Sequence, residues 1–147
     1  MKFAMTLKQL FLVTLLILGG LQFVPYERTN PPVESPTVGR QPVMDFLRRA
    51  CFDCHSNETV WPWYAQVAPI SWLVIRDVNQ AREKLNFSQW NRLGLHEQER
   101  VKAEIWKQVK NGDMPPPFFM LGHPDALVTT DDHPLLRRWC GMDTGGY

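Results

Sequence analysis

The chain has 147 residues, and sixteen Lys and Arg against fifteen Asp and Glu give it a formal net charge of +1. This length suits one domain, and the balanced charge excludes the strong positive field on which general nucleic-acid binding depends. With 44% hydrophobic and 21% charged residues, the composition excludes a disordered chain. Six Trp and eight Phe are many for this length, whereas three Cys are too few for a disulfide framework.

Residues 1–24 have a basic start and then an apolar run, a pattern typical of an export signal or a short anchor. Lys2 and Lys8 precede the run, which covers residues 10–24. A helix of that length spans about 22 Å, less than the ~30 Å hydrocarbon core of a bilayer. Because no small-x-small cleavage site is present, we expect an uncleaved signal anchor or transmembrane segment, with a removed leader as the alternative. The lysines put the N-terminus in the cytoplasm and the remainder on the exported side.

The next segment, 25–38, is rich in proline. Proline fixes φ and removes a hydrogen-bond donor, so we expect an extended linker that holds the domain away from the membrane. The domain itself is predicted over 39–142, with a flexible tail at 143–147. Without the two leader lysines the exported part has fourteen basic and fifteen acidic residues, a net charge of −1.

Apolar residues recur at helical spacing in four places, and no run alternates as a strand would. The pattern predicts an all-α domain with irregular connections. The clearest helix has acidic residues in its first turn, basic residues in its last and Gly112 as a stop signal. The predicted helices cover 42–51, 71–85, 97–111 and 130–140, and the second is expected to begin at Ser71 as its N-cap.

At the end of the first of these helices stands C-x-x-C-H, formed by Cys51, Cys54 and His55. This is the attachment pattern of haem c, in which two thiols form thioethers with one haem and the histidine binds its iron. One covalently bound haem c is therefore the predicted cofactor, with His55 as the proximal ligand. The other ring nitrogen of His55 needs a hydrogen-bond acceptor to set its tautomer.

Three alternatives compete for the same residues. A thioredoxin-type redox pair needs a βαβ context, and no strand pattern is present. A zinc site needs two more ligands at suitable spacing, and the sequence has no second cysteine pair. A disulfide between Cys51 and Cys54 would be strained.

The iron's sixth position has several candidate ligands. We favour Met114, since Gly112 ends a helix before it and three prolines stiffen the chain behind it. A soft thioether suits haem iron, and His/Met ligation raises the reduction potential. His123 is the main rival, and an open five-coordinate iron is a further alternative.

The pattern of residues resembles a mono-haem class I cytochrome c, and more closely a bacterial family of membrane-anchored haem-binding domains. The resemblance covers roughly residues 22–139 and implies haem c, an exported domain, His55 as proximal ligand and Met114 as distal ligand. It implies neither a partner nor a catalysed reaction. The residues that carry it are Arg28 to Pro32, Cys51, Cys54 to Asn57, Thr59, Trp61 to Tyr64, Ala68 and Pro69, Ser71 to Leu73, Asp77 and Val78, Asn86 to Ser88, Trp90, Met114 to Pro116, and His123 and Pro124.

Aromatic residues follow the motif closely. A porphyrin is large, flat and apolar, so Trp61, Trp63 and Tyr64 are predicted haem contacts, with ordinary core packing as the alternative. Arg48 and Arg49 could meet haem propionates, although adjacent arginines more often form a solvated helix face. Cys140 remains unpaired and is interpreted as a packing residue.

A six-coordinate haem leaves no open site for a substrate, so electron transfer is the leading functional hypothesis and catalysis is not expected. The alternatives are a haem-based sensor, or a haem-binding protein without electron flux, and, less favoured, a peroxidase. The expected setting is the bacterial inner membrane, with the haem domain in the periplasm. The domain would act as a monomer with an unidentified redox partner protein, membrane contact through the N-terminal helix and no nucleic acid.

Overall fold

The computed structural model describes residues 5–144, and every regular element within them is helical, which confirms the predicted all-α class. Short 3₁₀ turns connect the helices. The α-helices are α1 Leu7–Leu21, α2 Gln41–Leu47, α3 Asp53–His55, α4 Ile70–Lys84, α5 Leu95–Lys110, α6 Pro117–Met120 and α7 Asp132–Trp139.

The helix that carries the cysteine motif is longer than predicted. A π-helical turn, Arg48–Phe52, joins α2 to α3, and the junction residues all have right-handed helical φ and ψ. We call this continuous stretch, residues 41–55, the attachment helix. Proline stands in its first turn, where its missing N–H costs nothing. Single π turns of this kind often occur at functional sites.

Much of the aromatic content lies in the core. Phe87, which is 1% exposed, stacks on Phe52 with ring centres 5.3 Å apart and on Trp90 at 5.8 Å. Trp90 in turn lies 5.7 Å from Trp139 of α7. Leu47 of the attachment helix is fully buried in the same cluster. Core packing therefore accounts for a large part of the aromatic excess.

The start of α4 differs from the prediction, whereas the end of α5 agrees with it. The N-cap of α4 is Pro69 and not Ser71, because Ser71 lies inside the first turn and is buried. The helix α5 ends as predicted, since Gly112 adopts φ +77°, a conformation that glycine accepts without steric cost.

The first helix, α1, has fifteen residues and no buried side chain. Between residues 5 and 144 no helix has both the length and the apolar character that a bilayer crossing needs. The expected transmembrane helix is therefore not found. Residues 1–4, which include Lys2 of the predicted leader, and residues 145–147 of the predicted tail lie outside the described part of the chain.

The proline-rich segment, predicted as an extended linker that holds the domain away from the membrane, is hydrogen-bonded to the domain. The backbone N–H of Thr37 donates to the Phe87 carbonyl at 2.8 Å, and that of Ser35 donates to the Ser88 carbonyl at 3.0 Å. The side-chain amide of Asn57 donates to the Pro32 carbonyl at 2.8 Å. Proline removes competing donors and keeps the segment extended, so its carbonyls are free to accept such bonds. We call residues 28–37 the arm.

Candidate functional site

The attachment helix brings the three motif residues to one face. Residues three and four apart lie on the same side of a helix, so Cys51, Cys54 and His55 point in similar directions. All three side chains are partly exposed, and both cysteines are free thiols. The thiols and the imidazole are thus available to one ligand placed against this face.

Both thiols are protonated at neutral pH. Burial raises the pKa of Cys51 to about 12, and burial together with the nearby Asp53 and Asp77 carboxylates raises the pKa of Cys54 to about 11. A thiol in this state exchanges slowly with disulfides, because the thiolate is the reactive form. The pair is therefore unlike a thioredoxin-type redox centre.

The imidazole of His55 is held by the end of α4. Its Nδ1 lies 3.1 Å from the Ala81 carbonyl oxygen and 3.2 Å from that of Leu85. Carbonyl oxygens only accept hydrogen bonds, so Nδ1 carries the proton and Nε2 has the free lone pair. Burial lowers the pKa of His55, against the opposing effect of these two carbonyls, and so favours the neutral ring.

These features fit a haem group. A neutral histidine that donates one ring N–H to a backbone carbonyl and keeps the other nitrogen free is the usual form of a metal-ligating histidine. Two reduced thiols on the same helix face are the donors that thioether attachment requires. Within residues 5–144, no three or more His, Cys, Asp and Glu side chains form a group able to hold a bare metal ion.

The predicted aromatic contacts follow directly after the motif. The Trp63 ring is 76% exposed and meets the Tyr64 ring edge-on, with centres 5.8 Å apart. The Tyr64 hydroxyl lies near Gly122, 3.2 Å from where a Cβ would stand on that glycine. The Trp61 ring is partly exposed and has the Arg82 guanidinium 5.9 Å from its centre. All three rings have exposed surface that a ligand could cover, and their contact with haem stays a prediction.

The two candidate sixth ligands have different surroundings. Met114 stands in the turn after α5, where its backbone N–H donates to the Gln108 carbonyl at 3.3 Å and the residue is 38% exposed. The His123 ring stacks on Phe119 with centres 4.1 Å apart, and its Nδ1 donates to the Phe119 carbonyl at 3.2 Å. Its Nε2 lies 3.9 Å from a carboxylate oxygen of Asp53. The Met114 thioether is thus the less engaged of the two.

An open cavity of about 520 Å³ lies beside the attachment helix, and Asp45, Arg48, Asp53 and His123 are among its lining residues. The motif cysteines and His55 do not line it, so we place the haem by the ligand geometry and not by this cavity.

The interpretation of Arg49 as part of a solvated face is wrong. Arg49 donates to the Asp125 carbonyl at 2.8 Å and to the Leu127 carbonyl at 3.0 Å, and it also pairs with Asp132. Arg48, in contrast, is mostly exposed, with a 3.6 Å ion pair to Glu58 and its guanidinium 5.3 Å from the centre of the Phe52 ring. The buried thiol of Cys140, whose pKa burial raises to about 12, is a packing residue as predicted.

Sequence reasoning missed a polar network behind the motif. Asn57, which is 4% exposed, accepts from the Asn86 side chain at 2.8 Å, and its backbone N–H donates to Ser88 Oγ at 2.9 Å. Arg82 bonds the arm and the loop after the motif. These partners are 23 to 53 residues apart in sequence, so no local pattern could reveal the network.

Comparison with known protein families assigns the chain to one of them. No curated protein and no solved structure matches the chain. A family model described as a haem-binding domain matches residues 16–141, which is most of the chain and includes the arm, the attachment helix and the Met114 turn. The chain therefore belongs to the haem-binding domain family.

Proposed function

We propose that this domain carries one haem c, attached through Cys51 and Cys54 with His55 and Met114 as axial ligands, and that it transfers electrons. The observation that carries the proposal is the state of His55. Its Nδ1 is committed to two backbone carbonyls, and the free Nε2 shares a helix face with two reduced thiols.

The side chains have separate tasks in this proposal. The bound haem supplies one-electron iron chemistry. The carbonyls of Ala81 and Leu85 orient the His55 ring and make it a more basic ligand. The Met114 thioether, with Pro115 buried behind it, is a soft donor that raises the reduction potential. If His55 and Met114 both bind the iron, no coordination position would remain for a substrate, so we propose no enzymatic activity.

Met114 is preferred to His123 as the sixth ligand. To bind iron through Nε2, the His123 ring would have to give up its position 3.9 Å from the Asp53 carboxylate, and its stacking on Phe119 resists reorientation. Met114 needs no such exchange, since its hydrogen bond within residues 5–144 is made by its backbone N–H, to the Gln108 carbonyl, and not by its thioether.

Export to the periplasmic side of the bacterial inner membrane belongs to the same proposal, because covalent attachment of haem c takes place there. The apolar helix α1 at the start of the chain supports it. The partner is a redox protein, and since the exported part has a net charge of only −1, local surface features decide which protein docks.

The test is an intact mass of the full-length protein, purified from cells that mature c-type cytochromes. We expect one added haem that resists acid–acetone extraction, and loss of this resistance when both cysteines are replaced by alanine. A mass without haem would refute covalent attachment.

The axial ligands are tested by absorption spectroscopy of the ferric protein. Met114→Ala should abolish the weak long-wavelength band of thioether-ligated haem, whereas the matched Met120→Ala variant should keep it. Persistence of the band in Met114→Ala, or its loss in His123→Ala alone, would refute the assignment. A wild-type ferrous spectrum that changes on addition of carbon monoxide would favour a gas sensor over an electron carrier.

A further inference from the structure

Arg82 connects three parts of the molecule from its place in the last turn of α4. Its Nε donates to the Ser56 carbonyl at 2.7 Å, and its Nη1 donates to the Thr29 carbonyl of the arm at 2.8 Å. Its Nη2 donates to Asn30 Oδ1 at 2.9 Å and to Thr59 Oγ1 at 2.8 Å. The guanidinium thereby joins α4, the arm and the loop that follows the motif.

The first of these bonds reaches the residue directly after His55. Ser56 is fully buried, so its carbonyl depends on protein donors, and Arg82 supplies a charged one. Ser56 is also fixed from within, because its hydroxyl donates to the Phe52 carbonyl at 2.8 Å. The main chain at the end of the attachment helix is therefore held in place.

The same turn of α4 holds the ring of His55. Ala81, which accepts from Nδ1 at 3.1 Å, is the neighbour of Arg82 in sequence, and Leu85 lies one turn further on. One short stretch of α4 thus fixes His55 at two points: the ring by backbone carbonyls, and the following main chain by the arginine.

We propose that Arg82 is a positioning residue for the proximal ligand, which sets the orientation of the His55 imidazole toward the iron. Two anchors on one rigid helix turn determine both the place and the rotation of the ring, whereas the Nδ1 bonds alone would allow the main chain to shift. The planar guanidinium suits this task, because its fork of donors reaches several acceptors at once. Lysine, with one rotatable ammonium, cannot reproduce the arrangement.

The proposal rests on the proposed function, since it requires that His55 binds haem iron. Its test is the low-temperature electron paramagnetic resonance spectrum of the ferric full-length holoprotein, which is sensitive to the orientation of an axial imidazole. The variants are Arg82→Gln, Arg82→Lys and Asn30→Ala, with Arg76→Gln as the matched control. Arg76 lies on the same helix but is exposed and pairs only with its neighbour Asp77.

We expect wild type and Arg76→Gln to share one low-spin signal, and Arg82→Gln to show a shifted or split signal. The Asn30→Ala variant loosens the arm by removing the bonds to Arg82 and to the Thr59 carbonyl, but it leaves the bond to Ser56. Its signal should match wild type even where urea unfolding shows a loss of stability. If Arg82→Gln yields no holoprotein, Arg82→Lys should show the shift.

Three results would overturn the inference. An unchanged signal in both Arg82 variants would show that the residue does not position the ligand. The same shift in Asn30→Ala would show that Arg82 acts only through general stability. Absence of any low-spin haem signal in the wild-type protein would refute the proposed function itself. This outcome is seen before any variant is compared, so it is distinct from a failure of the inference about Arg82.

Discussion

Replacing Arg49 by glutamine should destabilise the fold strongly, whereas the same replacement of its neighbour Arg48 should have a much smaller effect. The Arg49 side chain is 29% exposed and donates to the Asp125 and Leu127 carbonyls and to the Asp132 carboxylate. These bonds join the attachment helix to the segment that leads into α7.

A hydrogen bond to a charged group contributes about 1.5–3 kcal/mol, and bonds that share one guanidinium are not additive. Because Arg49 is partly exposed, we expect Arg49→Gln to lower the free energy of unfolding by about 2–3 kcal/mol. The Arg48 side chain is 57% exposed, and its partner Glu58 is 37% exposed. Surface pairs of this kind contribute about 0–1 kcal/mol, and the exposed contact of the Arg48 guanidinium with the Phe52 ring about 0.5–1 kcal/mol, so Arg48→Gln should lower the free energy of unfolding by about 1 kcal/mol.

The assay is urea unfolding of the full-length holoprotein. The midpoint urea concentrations of the variants are compared, provided that the dependence of the unfolding free energy on urea concentration is the same. Equal losses of unfolding free energy in Arg48→Gln and Arg49→Gln would refute the structural role assigned to Arg49. So would a loss below about 1 kcal/mol for Arg49→Gln, which is the range of an exposed pair.

The pH dependence of the difference in unfolding free energy between wild type and Arg49→Gln provides a second check. Burial alone would raise the pKa of Asp132, but hydrogen bonds from Arg49 and Thr129 outweigh it and hold the pKa below its ordinary value. A carboxylate with a lowered folded-state pKa stabilises the fold above the unfolded value of about 3.9, and this stabilisation is lost as the pH falls through the folded-state pKa. The gap in stability between wild type and Arg49→Gln should therefore narrow below about pH 4. A gap that stays constant down to the lowest accessible pH would contradict the role of Asp132.

Three further substitutions test the packing. Phe87→Ala should lower the free energy of unfolding by about 3–5 kcal/mol. The control Phe118→Ala, at a site that is 66% exposed, should lower it little. Similar losses in the two variants would refute the packing of Phe87 in the aromatic core. Gly112→Ala should lower the free energy of unfolding by about 1–2 kcal/mol, since Gly112 has φ +77°, and an unchanged stability would contradict that backbone conformation. Cys140→Ala should retain covalent haem with a loss of about 1–2 kcal/mol, and loss of haem would show that Cys140 takes part in attachment.

Local sequence was sufficient for the helices and for the attachment triad. The apolar spacing of α5 and the glycine after it predicted that helix to within two residues at each end, because period and stop signal are both local features. C-x-x-C-H placed two thiols and an imidazole on one helix face for the same reason. The start of α4 was missed because Ser71 has the chemistry of a cap, yet burial draws it into the helix.

Side chains with distant partners were misjudged or overlooked. Arg48 and Arg49 are adjacent and chemically identical, so no sequence pattern separates the exposed arginine from the one that crosses to Asp132. The prolines of the arm suggested a spacer, because proline indicates an extended chain but not the surface against which the chain lies.

The sequence by itself therefore determined the helical class and the C-x-x-C-H motif with His55 as the proposed proximal ligand, since each depends on spacing within a few residues. Only the tertiary structure decided what orients that histidine. The carbonyls of Ala81 and Leu85 and the guanidinium of Arg82 lie 26 to 30 residues from their partners His55 and Ser56. They meet because α4 packs against the end of the attachment helix, and packing between helices is set by the whole core and not by any local pattern.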